Sequence, residues 1–176
     1  MTHSKFSRSR FFSLAAAMLV LGAMTLGAQT PAPAPAPVYG KAADNKIYAQ
    51  QLVMELLAEN LDLGGVGLHA VPPGKKDYEI VGQTRDLIGK KSSADDIEVI
   101  ERDAVKIYPF VILGEPRFSA LAAIRDSSGK IVGMAALSFK RVPGVDRLTV
   151  HARVVTIMIQ LAAKIPSQEA LFKPIP

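Results

Sequence analysis

Residues 104–139 read AVKIYPFVILGEPRFSALAAIRDSSGKIVGMAALSF, and this stretch decides the class of the fold. It divides into three strand-like runs, Ala104 to Leu113, Arg117 to Arg125 and Ile131 to Phe139, each rich in apolar residues and bounded by turn formers. Asp126-Ser127-Ser128-Gly129 joins the last two, and its Asx and Gly residues suit a hairpin loop. Three consecutive strands with so short a joint must pair antiparallel.

Working back from this block, residues 88–102 turn polar, and Ser93-Ala94-Asp95-Asp96 carries the Ser-x-x-acid pattern that caps a helix, here from about Ala94 to Glu101. Upstream, Val66 to Val71 and Tyr78 to Gly82 are short strands separated by the turn Pro72-Pro73-Gly74, which predicts a hairpin and brings the strands to five in a meander-like order. Before them, Asp44 is a candidate N-cap for a helix running to about Asn60, with Leu52 and Leu56 on its apolar stripe. Downstream of Pro143-Gly144, Asp146 caps a second long helix to about Lys164, with Val150, Val154, Met158, Leu161 and Ile165 on one stripe. The expected class is α+β, an antiparallel five-stranded sheet flanked by long N- and C-terminal helices, over residues 41–172.

The ends of the chain carry a different message. Lys5, Arg8 and Arg10 precede an apolar run from Phe11 to Leu26 that closes on Gly27-Ala28, the basic, apolar and small order of a secretory signal peptide over residues 1–28. A retained anchor is the rival reading, since a spanning helix needs about 20 apolar residues. Residues 29–40 are rich in Pro and Ala and form a spacer. The expected location is periplasmic or secreted. The chain has no cysteine, so such a domain would rest on its core alone.

The formal charge of +5 shrinks once the signal is removed, leaving 18 basic against 16 acidic residues. Lys75-Lys76 and Lys90-Lys91 are isolated pairs in loops, so no nucleic-acid partner is expected.

The order of elements, helix, two strands, polar loop with a short helix, three strands and closing helix, resembles the PAS-like fold of extracytoplasmic Cache sensor domains. Two strings carry the resemblance: Asp77-Tyr78-Glu79-Ile80-Val81-Gly82 through Ile88-Gly89-Lys90-Lys91-Ser92, and the hairpin Ile124 to Gly133 with its Asp-x-x-Gly turn. The resemblance implies a small-molecule ligand, a carboxylate or an amine, held between one sheet face and the loop-helix segment. It also implies a membrane protein as signalling partner, since the sequence shows no kinase or chemoreceptor module.

Catalytic motifs are not found. His69 and His151 are separate and have no metal-ligand spacing, Gly65-Val66-Gly67 leads into a strand and not a helix, and no nucleophile elbow occurs. No enzyme activity, metal or cofactor is therefore expected. Candidate ligand-binding residues are polar groups set in apolar strands or beside them, because burying one without a partner costs about 1–3 kcal/mol. His69, Tyr78, Tyr108 and Arg117 meet this criterion, and Ser119 joins them because it shares a strand face with Arg117, whose fork is suited to a carboxylate. Arg85, in the loop before Ile88-Gly89, is the sixth; the rival readings are an exposed loop charge for Arg85 and a strand-end side chain reaching solvent for Arg117. The alternative is a structural or protein-interaction component of the envelope, its sheet face filled by its own side chains. Finally, Val150 to Ile165 holds more apolar residues than one helix face accommodates, which predicts a homodimer through helix packing unless the first helix or Ala170-Leu171-Phe172 covers the surplus.

Overall fold

The computed structural model describes residues 38–176; the signal at 1–28 and most of the 29–40 spacer lie outside the described residues. The described residues form one compact unit. Its strands are β1 (Leu63–Ala70), β2 (Glu79–Gln83), β3 (Val105–Ile112), β4 (Glu115–Arg125) and β5 (Ile131–Lys140). Its helices are α1 (Tyr48–Glu59), α2 (Ala94–Arg102) and α3 (Arg147–Lys164).

All five strands join one antiparallel sheet in the order β2-β1-β5-β4-β3. The expected α+β class, a five-stranded antiparallel sheet flanked by long N- and C-terminal helices, is therefore present. It is not a meander: β3, β4 and β5 follow one another, but β1 then lies against β5 and carries β2 to the outside. Both hairpins close as the sequence predicts. Asp126 Oδ1 accepts from the Ser128 and Lys130 backbone N–H groups and from the Ser128 hydroxyl, and Gly129 takes the positive φ of 88° that the turn requires.

Alternation gives the sheet two unlike faces. The back face presents Val66, Leu68, Ala120, Ala122, Leu137 and Phe139, which join Leu52, Leu56, Val154, Ile157 and Leu161 in the main core. α1 covers β1 and β2, and α3 covers β4 and β3. The two helices are tied by Lys164 to Glu55 and Glu59, and by the Tyr48 hydroxyl donating to the Lys164 carbonyl at 2.8 Å. The front face is only partly covered, by α2, whose Val99 and Ile100 pack on Leu121 and Met134.

The caps at Ser93 and Asp146 form as expected. Ser93 Oγ accepts from Asp96 N while the Asp96 carboxylate accepts from Ser93 N, a reciprocal pair, and Asp146 accepts from Thr149 N. Asp44 does not cap α1. It ends a separate 3-10 turn, Ala42–Asp44, and the helix starts at Tyr48. The cause is tertiary: Asn45 donates to the Val81 carbonyl at 2.8 Å, and Ile47 bridges to Pro174, so the chain is extended where a helix would have begun.

Candidate functional site

The strand registers lay out the front face row by row. Tyr108 lies opposite Ser119, Ser119 opposite Ser138, and Ser138 opposite Gly65. One row further along stand Lys106, Leu121, Ala136, Gly67 and Gln83, and on the other side Phe110, Arg117 and Lys140. The centre of this face, Gly65, Gly67, Ala136, Ser138 and Ser119, therefore carries nothing larger than a hydroxymethyl group. Larger groups stand around it: Arg117, Tyr108 and Phe110 at one side, Gln83 and Thr84 at the other, and Met134, Leu121 and His69 where α2 closes the face.

Arg117 does not point to open solvent from a strand end. Its side chain crosses β5 and lies over β1, so close that a Cβ on Gly64 would stand 1.5 Å from Arg117 Nη1. Gly64 is the extra residue of a bulge between Leu63 and Gly65, and it leaves the guanidinium its space. Arg117 Nη1 is buried without a hydrogen-bond partner. So are Ser138 Oγ and Gln83 Oε1, and among the described residues these three are the buried side-chain polar atoms left unpaired. All three belong to residues of the front face. Each carries a cost of about 1–3 kcal/mol unless something pairs with it.

His69, on the same face, is nearly fully buried, with Nδ1 2.8 Å from Ser92 Oγ and 3.8 Å from Asp96 Oδ2. Burial pushes its pKa below the ordinary histidine value; the Asp96 carboxylate opposes this and Lys90 adds to it. Ser92 and Asp96 both approach Nδ1, so the cluster lacks the geometry in which one ring nitrogen takes a hydroxyl proton while a carboxylate orients the other. Asp96 is already engaged in the α2 cap, and Asp95 pairs with Lys106.

Of the six residues singled out from sequence, five meet on the front side. Tyr108, Arg117 and Ser119 line its open part, while His69 lies beneath α2 and Tyr78 packs against the Leu121 and Met134 cluster. Tyr108 also stands edge-on to Phe110, with ring centroids 6.4 Å apart. Arg85 is elsewhere, exposed in the loop that runs past the outer edge of β2, where Ile88 bridges to Gly40. The sequence reading missed Gln83 and Ser138. The available signal was spacing: Gly65 and Gly67 two apart in one strand, and Ser138 between Ala136 and Lys140 in another, mark a face of small residues.

No protein-family model matches this chain, and no curated protein matches it. Among solved structures, the chain is similar in course to the GAF domain of a two-component sensor histidine kinase from Bacillus halodurans. That similarity has 10% identity over 66% of this chain and 90% of that one, with a TM-score of 0.47. It is similar to the phycocyanobilin-bound GAF domain from a cyanobacterial phytochrome at 16% identity, covering 69% and 84%, with a TM-score of 0.46. It is also similar to a type II free methionine-R-sulfoxide reductase from Thermoplasma acidophilum at 13% identity, covering 72% and 93%, with a TM-score of 0.46.

Proposed function

We propose that this chain is an exported, sensor-like domain of Cache kind that binds a small molecule on the front face of its sheet and performs no catalysis. The observation that supports this is the gathering of Arg117 Nη1, Ser138 Oγ and Gln83 Oε1, each unpaired, around a floor of glycine, alanine and serine. Arg117 offers N–H donors to a carboxylate, and Gln83 offers a carbonyl to an amine or amide. The ligand class is accordingly a small carboxylate, with an amine-bearing one using both ends. Export follows from the order of charge and apolarity in residues 1–28, and a separate membrane protein then receives the signal.

A thermal-shift screen with small carboxylates, amines and amino acids tests the reading. A ligand at about 100 times its dissociation constant adds about 2.7 kcal/mol of stability. The expected result is a shift with a carboxylate that R117A abolishes. Absence of any shift across the panel, with a protein co-purifying instead, supports the envelope-interaction alternative.

A further inference from the structure

The surplus apolar residues of α3 are not covered by the rest of the domain. α1 lies over the other half of the sheet, and the C-terminal turn Glu169–Phe172 packs on α1. Leu148 is left 76% exposed, Val155 43% and Ile159 67%, with Ala152 exposed and Ala162 half-buried on the same line. These positions, 148, 152, 155, 159 and 162, are spaced by four, three, four and three, the seam spacing of paired helices. At 100° per residue they fall within about 80° of one another, on the side opposite the buried stripe of Val150, Val154, Ile157 and Leu161.

The order of sizes along the seam identifies the occupant. Reading from Leu148 it runs large, small, medium, large, small, and Val155 is its midpoint. Turned end for end about Val155, the seam sets Leu148 against Ala162 and Ala152 against Ile159, each large side chain facing a small one. A cavity of about 260 Å³ beside Ala162, floored by Ala104 and Ala122, accepts the incoming leucine. Charge agrees. α3 has no acidic residue, and its cations are engaged within the chain: Arg147 with the Ile107 carbonyl, Arg153 with Asp62 and Asn60, Lys164 with Glu55 and Glu59. Arg153 and Lys164 are met by acids, while the Arg147 charge meets only a neutral carbonyl, and an antiparallel pair sets the two copies of it at opposite ends.

We infer that α3 is a self-complementary docking surface on which a second copy of this chain packs antiparallel about a two-fold axis through Val155. The contact is isologous, so each substitution enters twice. Leu148 and Ala162 lie about 21 Å apart along one helix and cannot meet within a chain.

Light scattering and sedimentation of the purified chain at about 1–100 µM test the inference, with far-UV circular dichroism as the check on folding. The expected mass is twice that of the chain. L148E and A162K each weaken association by about tenfold or more, and the two together in one chain restore it by pairing across the axis. L113D, at an exposed apolar position outside the seam, leaves the mass unchanged. A monomer at every concentration overturns the inference, as does a dimer that survives both single substitutions or a double variant that stays dissociated. If the whole chain is monomeric and only a version starting at Val38 dimerises, the N-terminal segment is the occupant and the inference also fails.

Discussion

The Arg117 guanidinium occupies the space that a side chain on Gly64 would fill, 1.5 Å from the position of its Cβ. The atoms in the way are the far end of a flexible arm, not backbone, so G64A is accommodated by moving the arm. We expect a stability change within about 1 kcal/mol. The ligand-dependent shift in melting temperature should fall as it does in R117A, and a G64A protein that keeps the full shift refutes the part assigned to Arg117.

Gly133 is the opposite case. A Cβ there would stand 2.0 Å from the His69 carbonyl oxygen, a backbone atom of the neighbouring strand that cannot move without breaking the β1–β5 pairing. G133A should cost about 1–3 kcal/mol or more in urea denaturation, against the small effect at Gly64.

His69 supplies a pH dependence with a definite sign. Its folded pKa lies below the ordinary value near about 6.5, so the unfolded chain takes up a proton that the folded chain refuses. Its full contribution to stability is present above about pH 6.5 and declines as pH falls toward the folded value. The groups that face it are Asp96, which opposes the shift, Lys90, which adds to it, and Ser92. The melting temperature should drop more between about pH 7 and about pH 5.5 in the natural protein than in H69N.

The reciprocal cap at Ser93 and Asp96 holds the first turn of α2, the helix that closes part of the front face. S93A should destabilise the protein by about 1 kcal/mol and also raise hydrogen exchange in residues 94–97, while S93D retains most of the cap.

What was legible in the sequence was local. The strands of residues 104–139, the Asp126 turn and the caps at Ser93 and Asp146 follow from alternation and hydrogen bonding within a few residues, and each forms in place. The insertion of β1 beside β5 was not legible, because that pairing joins segments about 70 residues apart and no neighbouring residue announces it. The start of α1 failed for a related reason: Asn45 serves the Val81 carbonyl in another strand, and this outweighs an N-cap at Asp44. For the candidate site, alternation set Arg117 and Ser119 on one strand face, whereas Tyr108 comes opposite Ser119 only through the pairing of β3 with β4. Gln83 and Ser138 escaped notice because their unpaired atoms arise only when strands from distant parts of the chain are side by side.

The segment that leads into α1 and the last residues of the described chain meet at one corner. Tyr48 N–H donates to the Lys173 carbonyl and Ile175 N–H to the Lys46 carbonyl, with Ile47 and Pro174 bridged between them. Joining these ends with a few flexible residues would cost little closure entropy, and the exposed Pro72–Lys76 turn between β1 and β2 offers a place to open the loop. A circular permutant cut between Gly74 and Lys75 should therefore keep every strand pairing and melt close to the parent. With its ends relocated to that turn, the same domain could be spliced into a host protein as a reporter whose two attachment points bracket the hairpin beside His69.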